Sequence, residues 1–311
     1  RYGHKPLELT PDAVNRIHEI GGSVLGSSRG PQDPVEMVKT LADLNIGILF
    51  VIGGDGTLRG AQKIAGEAVR QGLALSVIGI PKTIDNDISY IQTTFGFETA
   101  VTEAKRATYA AHSESIGARN GIGLVKLMGR DSGFIAAYSA LVDNHVNICL
   151  IPEVPFTLDG LFVALKQLLM QLGHAVIVVA EGAGQDLCEM TGERDASGNI
   201  KYGDIGTFLR DAIKDHFKKT GKEINIKYID PSYTIRSVPA NPHDSAFCLI
   251  LGQSAVHAGM SGRTSMVVGF WNYQFTHVPI SLAVSQRKKI DPEEDLWMGV
   301  LASTGQPRDM R

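Results

Sequence analysis

The chain has 311 residues, 43% of them hydrophobic, with 30 basic and 33 acidic side chains and a formal net charge of −3. That length buries a large core, enough for two domains or one large α/β unit, and interspersed charges of both signs give no basic stripe for nucleic acid or a membrane surface. No apolar run approaches the roughly 20 residues that cross a bilayer, and Cys149, Cys188 and Cys248, odd in number and widely spaced, fit reduced thiols rather than a disulfide framework.

In chain order, helices are expected over residues 11–20, 34–44, 58–71, 98–112, 131–143, 158–172, 207–220 and 245–258. Apolar strand candidates begin between them at Ile46, Ser76, Gly121, Asn147, Ala175, Lys227 and Ser265. Residues 21–30 (GGSVLGSSRG) read as a short strand and a loop ending at Arg29 and Gly30. Such alternation implies parallel sheets covered by helices on both faces. Residues 188–202 are polar and glycine-bearing, as a surface loop should be. Trp271, Asn272 and Tyr273 are expected at a hairpin tip, and Trp297 against a terminal helix. The histidines are scattered without metal-ligand spacing. The start, Arg1-Tyr2-Gly3-His4, reads as the interior of a fold rather than its beginning.

Two stretches carry chemistry. Residues 46–52 (IGILFVI) are a continuous apolar run, as suits a strand buried on both faces, and lead into Gly53-Gly54-Asp55-Gly56-Thr57. Glycines let the backbone approach a ligand, and the amides of such a turn, opening onto a helix, cradle phosphate oxygens. Asp55 would repel a bare phosphate, so its carboxylate implies a Mg2+ ion between the two. Residues 76–80 (SVIGI) lead into Pro81-Lys82-Thr83-Ile84-Asp85-Asn86-Asp87. In an extended segment Asp85 and Asp87 point to one side, one to accept a proton from an attacking hydroxyl and the other to face the metal. Lys82 and Thr83 add a cation and a hydroxyl. Alone, the second stretch would read as a surface turn, because Asn and Asp form turns readily; beside GGDGT it reads as half of a phosphoryl-transfer site.

GGDGT, PKTIDND, GFETA (96–100), NGIGLVKLMGR (120–130), VVAEGAG (178–184) and YIDPSYTIR (228–236) follow one another as in the phosphofructokinases, which the chain resembles over nearly its whole length. KLMGRDSGFIA and KYIDPSYTIR resemble the long, plant-type and trypanosome-like ATP-dependent branch of that family. The resemblance implies an α/β fold of two Rossmann-like layered domains with the active site in the cleft between them. The expected division is a donor domain over 1–143, lacking its first strand and Gly-rich loop, a sugar-phosphate domain over 144–266, and a segment 267–311 returning to the first domain. It implies ATP-dependent phosphorylation of fructose 6-phosphate at O1, a glycolytic step, with Mg2+ as cofactor. NAD kinases and diacylglycerol kinases resemble GGDGT alone, but have no reason to carry the other segments in order.

By the same resemblance, Arg29, Gly30, Gly54, Asp55, Gly56 and Thr57 bind the nucleotide, Asp55 and Asp87 lie at the metal, Asp85 is the base, and Lys82, Thr83 and Arg130 assist transfer. Thr83, Ile84, Asp85, Met128, Gly129, Arg130, Glu181, Lys227, Tyr233, Thr234, Ile235 and Arg236 correspond to the fructose 6-phosphate site. Arg130 precedes an expected helix whose N-terminus attracts anions, and Glu181 follows a buried strand, where open α/β sheets place ligand groups. Lys227, Tyr233 and Gly121 stand where bacterial short-chain members have Arg, His and an Arg that crosses from a neighbouring subunit; the plant-type branch shares these departures. Gly56 and Lys82 bear on donor choice. Pyrophosphate-dependent members have Asp at the position of Gly56, where it would collide with a nucleotide's α-phosphate, and Lys at the position of Lys82. Gly with Lys is the combination of the plant-type and trypanosome-like ATP enzymes, so ATP is the expected donor. A pyrophosphate-dependent enzyme and a non-catalytic regulatory subunit are the alternatives. The family further implies a cytoplasmic, allosteric homo-oligomer, a dimer or tetramer.

Overall fold

Short apolar runs that end at glycine or proline, each followed by an amphipathic stretch, give the alternation of strand and helix that the sequence implies. The computed structural model describes residues 6–27, 30, 32–188, 192–194 and 200–311. The chain starts with α1 (Pro11–Val14), a 3-10 turn at Ile17–Glu19 and α2 (Pro34–Asp43), then runs through β1 (Ile48–Gly53), α3 (Asp55–Arg70) and β2 (Ser76–Pro81). It continues through α4 (Phe97–Ile116), β3 (Gly121–Leu127), α5 (Phe134–Val142), β4 (Ile148–Leu150), α6 (Leu158–Gln171), β5 (His174–Ala180), α7 (Ile205–Lys219), β6 (Asn225–Ile229) and α8 (Ser232–Ile235). It ends with α9 (Pro242–Met260), β7 (Met266–Trp271), β8 (Gln274–Pro279), α10 (Ile280–Ala283) and α11 (Asp295–Thr304).

The strands form two sheets, in the orders β1-β2-β7-β8 and β4-β5-β3-β6. Every pairing is parallel except β7 with β8, a hairpin whose tip residues Asn272 and Tyr273 have φ of 47° and 62°. Two consecutive left-handed residues are what a two-residue hairpin turn requires. In the second sheet β3 and β5 are central and closed to solvent on both faces. Val125 and Val178 face a core with Phe97 and Ile135, whereas Leu124 and Ile177 face one with Leu165 and Leu209. In the first sheet Val77 packs with Val38 and Leu58 on one face, and Ile78 packs with Phe247 and Leu251 on the other. Both units are therefore three-layered, helix on sheet on helix.

The sheets divide the chain differently from the sequence-based expectation. β3 falls within the expected donor domain 1–143, yet it pairs with β5 and β6, and α4 packs on that same sheet. A strand buried on both faces needs a neighbour along each edge, and only the second sheet supplies them. The chain leaves the first sheet after β2 and returns at α9. The tail also divides, with β7 and β8 joining the first sheet while α11 packs on α5 in the second unit and buries Trp297. No strand forms over residues 21–27, where one was expected; Gly21 instead lies against the backbone of Ser237.

The two units are tied by a buried carboxylate. Asp244, in the first turn of α9 and 1% exposed, accepts hydrogen bonds from the Gly96 amide at 3.0 Å, the Thr99 amide at 2.8 Å and the Thr99 hydroxyl at 2.6 Å. It thereby caps α4 from outside, supplying the acceptor that Gly96, at the N-cap, has no side chain to offer. Asp244→Ala is expected to destabilise the fold by roughly 2–3 kcal/mol, since it leaves these donors unpaired in a dry place. The denaturant midpoint, read at unchanged m-value, measures this.

Candidate active site

β1 ends at Gly53, and α3 begins at Asp55 with Gly54 as its N-cap. Thr57 folds back over Gly53, so that a Cβ there would stand 2.4 Å from its Oγ1. Gly54 lies against the second loop; a Cβ on it would be 3.6 Å from the Lys82 carbonyl oxygen. Gly56 differs, because a Cβ built there meets nothing within 4 Å. Packing does not demand glycine at 56, and the space beside it is open to a ligand. Arg29 lies outside the described residues, and Gly30, at φ 105°, stands on an exposed loop.

The loop after β2 is a turn, not the extended segment expected from the spacing of Asp85 and Asp87. Asn86 is left-handed, at φ 53°, and its side chain accepts from the Thr94 amide at 3.0 Å. The Thr83 hydroxyl accepts from the Asp85 amide at 3.1 Å and donates to Asp87 Oδ1 at 3.3 Å. The two carboxylates consequently have different partners: Asp87 meets Thr83 and Arg287, while Asp85 Oδ1 is buried with no hydrogen-bond partner.

Arg287, 200 residues beyond Asp87, was not singled out from the sequence. One guanidinium nitrogen is 3.3 Å from Asp87 Oδ2 and also bonds Asp131 Oδ2, and the other is 4.0 Å from Asp55 Oδ2. Its backbone is fixed to the same loop. Ile88 and Arg287 form an antiparallel bridge, the Lys288 amide donates to the Asp87 carbonyl at 2.9 Å, and Lys288 Nζ donates to the carbonyls of Ile91 and Gln92 at 2.8 and 3.0 Å. Burial pushes the Lys288 ammonium down to about 8, against the opposing pull of Asp87. Arg59 adds a second cation, 3.1 Å from Asp55 Oδ2, and its other end donates to the Val284 carbonyl at 2.6 Å.

On the opposite side, Gly129 takes φ 131° after β3, and α5 begins only at Phe134. Arg130 is therefore not at a helix N-terminus, as the sequence suggested. That position belongs to the Gly133 amide, which Glu153 already covers with both carboxylate oxygens at 3.0 and 3.1 Å. The Arg130 guanidinium lies 4.4 Å from the centre of the Tyr202 ring and donates to the Ile200 carbonyl. Glycine is obligatory at 182, since a Cβ there would stand 1.9 Å from the Arg130 carbonyl oxygen; the segment bearing Glu181 thus runs directly against Arg130. The Ser132 hydroxyl donates to the Asp85 carbonyl at 3.3 Å, joining this loop to the first.

Desolvation by burial raises the Asp85 carboxyl to about 7, aided by the charges of Asp87 and Glu181 and opposed by Arg236 and Arg287. Burial likewise raises Glu181, while Arg236, Arg130 and Lys126 pull it down. Lys82 reaches solvent yet is crowded by protein, and that crowding, with Arg236 second, lowers its ammonium. The structure thus collects Lys82, Asp85, Glu181, Arg130 and Arg236 in one electrostatic neighbourhood. The other expected sugar-phosphate residues have varied surroundings. Lys227 pairs with Glu114 at 3.6 Å, Tyr233 is 87% exposed, Thr234 is exposed on α8, and Ile84, Met128 and Ile235 are buried apolar residues. Lys126, not foreseen, sits between Asp230 at 2.8 Å and Asp204 at 3.2 Å.

Among the described residues no group of three His, Cys, Asp or Glu side chains is placed to hold a metal unaided. Asp55 and Asp87 nevertheless approach one cation, Arg287, from separate elements. Two hard carboxylates beside the Gly53-Gly54 turn suit Mg2+, which takes one or two carboxylates and completes its shell from water and phosphate. The residues fit that ion.

Residues 3–259 match the model of a family described as phosphofructokinase. An ATP-dependent 6-phosphofructokinase of Borreliella burgdorferi is 50% identical over 315 residues, covering 98% of this chain and 70% of that protein. One from Trypanosoma cruzi is 48% identical over 300 residues, covering 96% of this chain and 62% of its own length. Among solved structures, a pyrophosphate-dependent phosphofructokinase from Marinobacter aquaeolei superposes with a TM-score of 0.75 at 20% identity, over 95% of this chain and 76% of that one, a likeness of fold alone. A family match across most of the chain, and relatives that share about half of its residues from one end to the other, establish that it belongs to the phosphofructokinase family.

Proposed function

We propose that this chain transfers the terminal phosphoryl group of ATP to O1 of fructose 6-phosphate, with Asp85 as the general base. The observation that carries the reading is the Asp85 carboxylate: Oδ1 is buried without a hydrogen-bond partner, and its environment holds the group near 7, where a base working at neutral pH belongs. Asp85 accepts the proton of the attacking hydroxyl. Arg130 and Lys82 supply donors for the charge on the moving phosphoryl group, and Glu181 with Arg236 orients the sugar phosphate. A Mg2+ held by Asp55 and Asp87 would neutralise charge on the donor phosphates.

ATP is favoured as donor by the open space at Gly56 and by the names of the 46–50% identical relatives. Lys82 is the one feature that favours pyrophosphate, so turnover with each donor decides between them. A homo-oligomer belongs to the same reading, supported by the apolar side chains Leu249, Val256 and Met260 left exposed along α9. Cytoplasmic location and allosteric control are expected from the family. Among the described residues no helix is long and apolar enough to cross a membrane.

Because the base must be ionised, kcat/KM for fructose 6-phosphate is expected to fall with unit slope as pH drops below about 7, the point at which Asp85 takes up its proton. Asp85→Asn should lower kcat by about 10²- to 10⁴-fold and abolish that limb; a retained limb would assign the base elsewhere. Gly56→Asp should raise KM for ATP by about tenfold or more through charge repulsion. With no protein atom in its way, it should leave the melting temperature nearly unchanged.

A further inference from the structure

Arg287 stands where a cation is needed whether or not a metal is bound. Its guanidinium touches Asp87 and Asp131 and lies 4.0 Å from Asp55, so it draws together carboxylates from α3, from the loop after β2 and from the loop after β3. Like charges so placed repel, and a planar fork of donors can serve several of them at once. The tether is equally specific. The bridge between Ile88 and Arg287, the Lys288 amide on the Asp87 carbonyl and the Ile290 amide on Glu153 at 3.0 Å pin the backbone at Arg287 and just after it, so the side chain can turn while its root is held.

We propose that Arg287 is a specificity-determining residue of the donor site, a tethered cation that keeps Asp55, Asp87 and Asp131 paired in the free protein so that a divalent ion enters only as part of a phosphate-donor complex. The inference rests on the reading of Asp55 and Asp87 as metal carboxylates. A free hydrated ion must displace the guanidinium and offers it no new acceptor. A donor complex brings phosphate oxygens that accept the released hydrogen bonds, so no charge is left unpaired. The site thereby discriminates between an ion alone and the same ion carried by a nucleotide. A fixed guanidinium is well suited to this, since it does not lose its proton at any physiological pH.

The test is Mn2+ binding followed by electron paramagnetic resonance, in the full chain, with and without ATP. Nucleotide-free wild type should bind Mn2+ weakly at this site. Arg287→Met should bind it at least about tenfold more tightly, because a charge some 4 Å away has been removed from a partly buried site. Arg287→Lys, which keeps the charge, should stay close to wild type, and adding Asp55→Asn to Arg287→Met should cancel the gain. No gain in Arg287→Met, or a gain that survives Asp55→Asn, overturns the proposal. Tight Mn2+ binding by nucleotide-free wild type that Asp55→Asn removes also overturns it, and needs no Arg287 variant to fold. Failure of the catalytic reading would show separately, as wild-type protein without turnover of fructose 6-phosphate.

Discussion

Four carboxylates, Asp55, Asp85, Asp87 and Asp131, come together from the segments that follow β1, β2 and β3, and holding like charges close together is the constraint on which the site depends. The repulsion is divided rather than removed. Arg287 compensates Asp55, Asp87 and Asp131, and Arg59 gives Asp55 a second partner. At Asp85 burial and negative neighbours outweigh the pull of Arg236 and Arg287, and its affinity for a proton rises accordingly. One turn, set by the left-handed Asn86, sends two carboxylates of a single short segment to different surroundings.

Polar groups at the seam keep that arrangement in place. Asp244 caps α4 from α9, Glu153 closes the N-terminus of α5 and also accepts from Ile290, and Lys288 closes the carbonyls of Ile91 and Gln92 beneath the ring of Phe134. Each satisfies at least one backbone group of a buried residue, so each is costly to remove. All three join segments far apart in the chain. The tail after β8 is for this reason part of the site and not an appendage to it.

Local chemistry was legible in the sequence where neighbours along the chain determine it. The strand run ending at Gly53, the helix after it, expected from residue 58 and formed from Asp55, and the hairpin beside Asn272-Tyr273 follow from apolar periodicity and turn residues, although β1 is an edge strand with Phe50 and Ile52 exposed and not one buried on both faces. Domain division was not legible, because which sheet β3 joins depends on edges supplied by β5 and β6. Nor was Arg287, since QRKKID reads as a solvated basic stretch until folding brings it beside residues 200 positions earlier. The two-residue spacing of Asp85 and Asp87 suggested an extended segment with both carboxylates on one side, whereas the left-handed Asn86 turns the chain between them. The helix start beside Arg130 failed similarly; the amide that matters there is that of Gly133, and Glu153 already occupies it.

The measurement that bears most directly on this account is a crystal structure with Mg2+, a non-transferable ATP analogue and fructose 6-phosphate bound together. The account predicts the O1 hydroxyl at about 2.6–3.2 Å from the Asp85 carboxylate, with Asp85 Oδ1 no longer unpartnered. O1 directed to a different side chain, with the Asp85 carboxylate still without a partner, would contradict it.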